Sequence, residues 1–143
     1  RSLGLAFQLR DDLDGAFGEI EQTGKDPLCD LREGKCTALI TVARSTHLWD
    51  ELAPYVGAPD LTPEGAVRAR ELLAACGARA AVEDMVTQLR AAAIGAIRGL
   101  PCAAADALLE MVDLLVPRHT PAVNIREHAG AVRDGRRDVR GAA

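Results

Sequence analysis

The chain is poor in aromatic residues, which make up only 3% of its 143 residues, although 48% of the residues are apolar. Its interior must therefore be built from Ala, Leu, Val and Ile, a composition that favours helices over sheets. Strand-like alternation of apolar and polar residues never persists for more than a few positions. One domain is the default at this length. These features predict an all-α fold, an antiparallel helical bundle.

The spacings that mark a thiol-based metal site or a disulfide framework are also missing. The sequence has no CxxC pair and no Cys/His ligand set among its four cysteines, Cys29, Cys36, Cys76 and Cys102. We therefore expect free thiols in a cytoplasmic protein. Neither a signal peptide nor a run of about 18 apolar residues is visible, so we expect no membrane span. No Ser/His/Asp order supports nucleophilic catalysis.

A net positive charge, the usual mark of a nucleic-acid surface, is absent because the formal net charge is −4. The charge is unevenly spread, since residues 118–143 carry six arginines and only three acids. A basic end on an acidic body is more often solvated than bound to nucleic acid. We predict a helical domain over residues 1–117, a polar, Arg-rich and poorly ordered tail over 118–143, and no nucleic-acid partner.

Apolar residues at spacings of three and four predict five helices. These run from Leu3 to about Phe17, from about Lys35 to Leu48, from Thr62 to about Cys76, over about 82–100, and from about Cys102 to Val116. Thr62 and Pro63 give the clearest start, because a hydroxyl can cap a helix and proline suits its first turn.

Residues 4–37 contain the side chains that are candidates for a functional site. Three carboxylates, Asp11, Asp12 and Asp14, fall on the first predicted helix. Because three residues turn a helix by about 300°, Gln8, Asp11 and Asp14 can line one polar strip. Acids so close repel one another unless a cation lies between them. A solvated charged face beside Arg10 is the competing interpretation.

Two lysines follow these acids along the chain. Lys25 comes after a glycine in a polar loop, while Asp30 and Lys35 frame the start of the second predicted helix. Carboxylates bind hard cations through oxygen, and lysines meet phosphate charge as point donors. Clustered acids followed by spaced lysines are what a magnesium-bound diphosphate requires.

The strings GLAFQLRDDLDGAFG, TGK and DLREGKCTAL closely resemble the second aspartate-rich region of the trans-isoprenyl diphosphate synthases, the polyprenyl synthetase family. The family pattern is FQ-x-x-DD-x-x-D, then GK, then D-[LI]-x-E-G-K-x-T, and the close match covers residues 4 to about 40. The resemblance implies the C-terminal half of an isoprenoid-synthase-type fold. One departure is that the family's third aspartate belongs at Gly15, whereas Asp14 stands one place earlier.

The resemblance also implies roles for individual residues. It implies metal binding, directly or through metal-bound water, by Asp11, Asp12, Asp14 and Asp30, and diphosphate binding by Lys25, Lys35 and Gln8. In that family, magnesium neutralises the diphosphate of an allylic substrate, which leaves as pyrophosphate. The double bond of isopentenyl diphosphate attacks the resulting carbocation, and a proton is lost.

The chain begins at Arg1, without Met, inside a predicted helix, and no second acid cluster of this kind follows residue 40. We therefore expect part of a synthase, inactive or nearly so alone, whose missing N-terminal half or homodimer partner completes the site. Three alternatives stay open: a non-catalytic helical partner subunit of a prenyl synthase, a related class I terpene cyclase, and an inert helical bundle. The DLREGK string favours the synthase over the cyclase.

Overall fold

The computed structural model of the chain describes residues 1–18, 29–100 and 104–117. This part forms α1 (Ser2–Phe17), α2 (Cys29–Arg32), α3 (Ala38–Ala43), α4 (Trp49–Leu52), a 3-10 turn (Ala53–Tyr55), α5 (Pro63–Ala75), α6 (Ala78–Arg98) and α7 (Ala105–Leu115). Across these ranges there is no strand, and the all-α prediction is confirmed. Lys25 and the tail predicted over 118–143 lie outside the described residues.

Helix α6 is the longest element and the centre of the packing. Helix α1 lies along it, and α3, α5 and α7 also contact it. The largest fully buried side chains are all aliphatic, as the low aromatic content requires: Leu39, Leu52, Leu73, Val82, Val112 and Val116. None of the described helices is both long enough and apolar enough to cross a membrane.

Helix α5 begins and ends where the sequence predicts. The hydroxyl oxygen of Thr62 accepts the backbone N–H of Gly65 at 3.1 Å, and Pro63 occupies the first turn. After the C-cap Cys76, Gly77 adopts a φ of +79°, a left-handed conformation that a side chain would strain. Gly77 therefore lets the chain reverse directly into α6.

The second predicted helix, from Lys35 to Leu48, is wrong in extent. Helix α3 begins only at Ala38, because Thr37 caps it by accepting the N–H of Ile40 at 3.4 Å. It ends at Ala43, where the hydroxyls of Ser45 and Thr46 donate to helix carbonyls at 2.8 Å each. Such local side-chain bonds compete with continuation of a helix.

The C-terminal end of α1 is held by two arginines from other helices. Arg70 of α5 donates from Nε to the carbonyl oxygen of Ala16 at 2.7 Å. The guanidinium of Arg79, on α6, lies 4.7 Å from the ring centroid of Phe17. Cations are stabilising at the negative end of a helix. These contacts fix the part of α1 that carries the clustered acids.

Candidate functional site

Asp12 connects α1 to the start of α3. Its side chain is buried, with 6% of its surface exposed. Oδ2 of Asp12 accepts the backbone N–H of Ala38 at 2.9 Å, and the amide of Gln8 donates to Oδ1 at 3.5 Å. A buried carboxylate is stable only when its oxygens are hydrogen-bonded in this way. Asp12 therefore holds the two helices together beside the other acids.

Asp14 forms an ion pair within α1. The Nε atom of Arg10 lies 3.0 Å from each carboxylate oxygen of Asp14. Arg10 also lines a groove of about 750 Å³ bounded by α1, α6 and Pro117. Gln8, Asp11 and Asp14 all lie on α1, as the predicted polar strip requires, and Gln8 contacts Asp12 while Asp14 contacts Arg10. Any metal at Asp14 would have to compete with the guanidinium.

Asp30 and Lys35 are joined by both side chain and backbone. The Nζ atom of Lys35 donates to the two carboxylate oxygens of Asp30 at 3.3 and 3.4 Å. The backbone N–H of Lys35 also donates to the carbonyl oxygen of Asp30 at 2.9 Å. Gly34, with a φ of +65°, permits this tight reversal. The position of Lys35 is thus set by the turn that follows α2.

The turn between Asp30 and Lys35 is also held by a contact with the segment that follows the 3-10 turn. The backbone N–H of Gly57 donates to the carbonyl oxygen of Leu31 at 2.7 Å. A Cβ added to Gly34 would lie 3.1 Å from the Cα of Gly57, so the two backbones approach closely. The segment after the 3-10 turn therefore supports the Asp30–Lys35 turn.

The electrostatics show which carboxylates surround Lys35. Its hydrogen bond to Asp30 and the charge of Asp30 raise the pKa of Lys35, and the charges of Asp12 and Asp11 raise it further, against a lowering by desolvation. Asp11 is itself partly buried. Asp30 is thus the hydrogen-bonding partner of this ammonium group, and Asp12 and Asp11 affect it through their charge.

Gly15 and Asp30 are in direct contact. A Cβ added to Gly15 would lie 2.6 Å from Oδ2 of Asp30, well inside van der Waals contact. The carboxylate of Asp30 therefore packs against the backbone of α1 at Gly15, where no side chain intervenes. Nearby, a pocket of about 10 Å³, the size of a single water, is lined by Asp12, Ala16, Asp30, Leu31, Lys35, Thr37, Leu39, Ile40 and Leu73.

Sequence reasoning missed Thr37 and the contact between Gly15 and Asp30. Thr37 caps α3 and lines the small pocket. A hydroxyl residue just before an apolar run is a recognised helix start, so that signal was present. The Gly15–Asp30 contact joins positions 15 residues apart in sequence, and no local pattern encodes such a contact.

The donor set can be tested against magnesium. Within residues 1–18, 29–100 and 104–117, no group of three or more Asp, Glu, His or Cys residues is placed to hold a metal ion. Magnesium does not require such a cage, because it commonly binds through one or two carboxylates together with water and substrate phosphates. Asp11 and Asp30 offer oxygen ligands of this kind. The residues therefore fit magnesium that is shared with a diphosphate.

Comparisons with known proteins identify what this chain is similar to. The family model described as polyprenyl synthetase matches residues 1–54. The geranylfarnesyl diphosphate synthase of Aeropyrum pernix is 36% identical over 75 residues, which cover 52% of this chain and 23% of that protein. A mitochondrial Neurospora crassa protein assigned as a hexaprenyl pyrophosphate synthase is 36% identical over 112 residues, covering 78% of this chain and 24% of that protein.

A solved structure extends the similarity to the fold. The crystal structure of a Corynebacterium glutamicum protein assigned as a geranylgeranyl pyrophosphate synthase has a TM-score of 0.72 and 30% sequence identity, and covers 80% of this chain and 37% of that chain. The chain spans only 23–24% of the length of the curated relatives that it matches. The region that matches the polyprenyl synthetase family model holds the clustered acids and Lys35, so this part of the chain is similar to that family.

Proposed function

We propose that this chain supplies the metal- and diphosphate-binding part of a prenyltransferase that condenses an allylic diphosphate with isopentenyl diphosphate. One observation carries the proposal: Asp12 of α1 and Asp30 of α2 line one small pocket together with Lys35, whose Nζ atom donates to Asp30 at 3.3 and 3.4 Å. An ordinary solvated helix face would not gather acids from two elements around one lysine. The relatives named as prenyl diphosphate synthases support the same reaction class.

In this proposal each residue has a distinct task. Asp11 and Asp30 hold magnesium jointly with the diphosphate, and Lys35 places positive charge against the phosphate oxygens. Magnesium, when bound, supplies Lewis-acid withdrawal of charge from the leaving diphosphate. Lys35 is protonated at neutral pH in any case, and its hydrogen bond to Asp30 raises its pKa further. Lys25 has the same proposed task as Lys35, although it lies outside the described residues.

Asp12 and Asp14 have more limited proposed roles. Both carboxylates already accept hydrogen bonds from protein groups, Asp12 from Ala38 and Asp14 from Arg10. We propose that Asp12 contacts the metal through bound water while it holds α3, and that Gln8 orients Asp12. Asp14 stays a candidate ligand that must first release its arginine.

We further propose that these 143 residues alone turn over slowly or not at all. The sequence carries no second acid cluster after residue 40, and Glu83 is paired with Arg79 at 2.8 Å. Because the chain spans only 23–24% of the length of its curated relatives, further residues or a second copy of the chain would complete the cavity in this proposal. A turnover assay with magnesium and both diphosphates should give background product, and robust product from the purified chain would contradict this proposal.

Binding of inorganic pyrophosphate tests the half-site directly. Calorimetric titration should show binding that depends on magnesium. Asp11→Asn and Lys35→Gln should each weaken binding by about tenfold or more, because hydrogen bonds to charged groups contribute about 1.5–3 kcal/mol. The matched controls are Asp84→Asn, an exposed acid on α6, and Arg68→Gln, an exposed cation on α5; both should bind as the wild type does.

The second candidate function is a non-catalytic helical partner subunit. The specific observation in its favour is that Asp12 and Asp14 are engaged with protein groups while Gly15 replaces the third acid of the family pattern. A degenerate half-site of this kind predicts no magnesium-dependent binding of pyrophosphate, so the same titration separates the two functions.

A further inference from the structure

Gly15 is the one glycine of α1 that lies against a charged group of another element. A Cβ at position 15 would lie 2.6 Å from Oδ2 and 3.4 Å from Cγ of Asp30. The other glycines inside described helices differ: a Cβ on Gly4 or Gly95 would meet nothing within 4 Å, and one on Gly65 would meet only neighbours within or beside its own helix. The contact at Gly15 is thus specific to the candidate site.

We infer that Gly15 is a positioning residue, whose missing side chain lets the carboxylate of Asp30 rest on α1 and thereby fixes Lys35 beside the clustered acids. Two separate observations support this inference. Asp30 occupies the space above Gly15, and the same Asp30 oxygens accept the hydrogen bonds of Lys35 Nζ at 3.3 and 3.4 Å. A methyl group at position 15 would force the carboxylate away from α1.

The effect of Gly15→Ala depends on which atom must move to make room for the new methyl group. Oδ2 is the end of a rotatable side chain, so Asp30 can swing aside without disturbing the backbone of α2. Alanine also has a higher helix propensity than glycine. Gly15→Ala should therefore preserve stability while it displaces the carboxylate of Asp30. Weaker binding without a loss of stability is the result expected of a positioning residue.

The thermal midpoint and binding of magnesium pyrophosphate provide the two readouts. Gly15→Ala should leave the thermal midpoint unchanged or raise it, as should the control Gly95→Ala on α6, where an added Cβ would meet nothing within 4 Å. Gly15→Ala should nevertheless weaken pyrophosphate binding about tenfold, whereas Gly95→Ala should not. Equal binding by Gly15→Ala and the wild type would overturn the inference.

A double substitution separates displacement of Asp30 from any other effect at position 15. If Gly15 acts through Asp30, Gly15→Ala combined with Asp30→Asn should bind no more weakly than Asp30→Asn alone, since interacting residues are non-additive. If the two losses in binding multiply, Gly15 acts on something else and the inference is wrong.

The binding readout rests on the proposed function, so a third readout is independent of it. The wild-type chain holds two lysines in all, and a ¹⁵N-lysine spectrum at fixed pH resolves their Nζ groups. Gly15→Ala and Asp30→Asn should shift the Lys35 Nζ resonance in the same direction, and Gly95→Ala should leave it in place. Absence of pyrophosphate binding by the wild type would reject the proposed function, whereas an unmoved Lys35 resonance in Gly15→Ala would reject the positioning role.

Discussion

Asp11 and Asp12 are neighbours in sequence but have different surroundings in the fold. Asp12 is buried and accepts the backbone N–H of Ala38, whereas Asp11 is partly buried and contributes charge around Lys35. The sequence predicted that both belong to one acidic cluster. It did not distinguish them, because the hydrogen bond of Asp12 reaches a residue 26 positions away.

This difference predicts unequal losses of stability. Asp12→Ala leaves the partly buried N–H of Ala38 without its acceptor and should lower the free energy of unfolding by about 1–3 kcal/mol. Asp14→Ala breaks a partly exposed ion pair within one helix and should cost less than about 1 kcal/mol. Urea unfolding of the two variants measures both values, and a larger loss for Asp14→Ala would contradict the assignment of Asp12 as the link between helices.

The ammonium of Lys35 gives a prediction on pH. Its pKa is raised by Asp30, so the stabilisation from this pair is fully present below the ordinary lysine value of 10.5 and is lost as the pH rises through the higher folded value. Asp30→Asn removes the main cause and should lower the pKa of Lys35. A ¹⁵N titration of Nζ from pH 9 to 12 measures the change; an unchanged titration in the variant would contradict it.

At the scale of elements, helix starts were predictable where a cap, proline and acid coincide, as at Thr62, Pro63 and Glu64. The bounds of α3 were not, because they depend on side-chain bonds at each end. Thr37 caps the helix later than its apolar spacing suggests, and Ser45 and Thr46 end it early. In this segment, hydrogen bonds of local hydroxyl groups determined the helix bounds more than the spacing of apolar residues did.

Thr37 and Thr62 form a matched pair for testing the α3 cap. Each hydroxyl accepts one backbone N–H at the start of a helix, but only Thr37 lines the pocket beside Asp30 and Lys35. Thr37→Ala and Thr62→Ala should each reduce the free energy of unfolding by about 1 kcal/mol. Only Thr37→Ala should also weaken magnesium-dependent pyrophosphate binding. Equal effects of both variants on binding would show that the cap of α3 does not support the site.

At the scale of the molecule, contacts far apart in sequence hold α1 in place. The bond from Arg70 to the carbonyl of Ala16 joins residues 54 positions apart. Arg68, a near neighbour of Arg70, is a suitable control for this contact. It is half-exposed, and the contacts it makes with Glu51 and Glu71 are surface ion pairs. Such long-range pairs could not be predicted from local periodicity, whereas the all-α class followed from composition and the lack of strand-like alternation.

Arg70→Met should therefore destabilise the chain by about 1–3 kcal/mol, because the helix-end carbonyl loses a charged donor. Arg68→Met should change stability by less than about 0.5 kcal/mol, as expected for a surface substitution. Chemical unfolding of both variants measures the difference. Similar stability of the two variants would mean that the Arg70 contact does not hold α1.

The most direct measurement of the central claim is the ¹⁵N-lysine spectrum of the wild-type chain, titrated with inorganic pyrophosphate with and without magnesium. The chain contains two lysines, Lys25 and Lys35, and both belong to the proposed diphosphate site. The account predicts that both Nζ resonances shift when pyrophosphate and magnesium are present together, and that the shifts disappear in Asp11→Asn. Resonances that stay in place at millimolar pyrophosphate and magnesium would contradict the account.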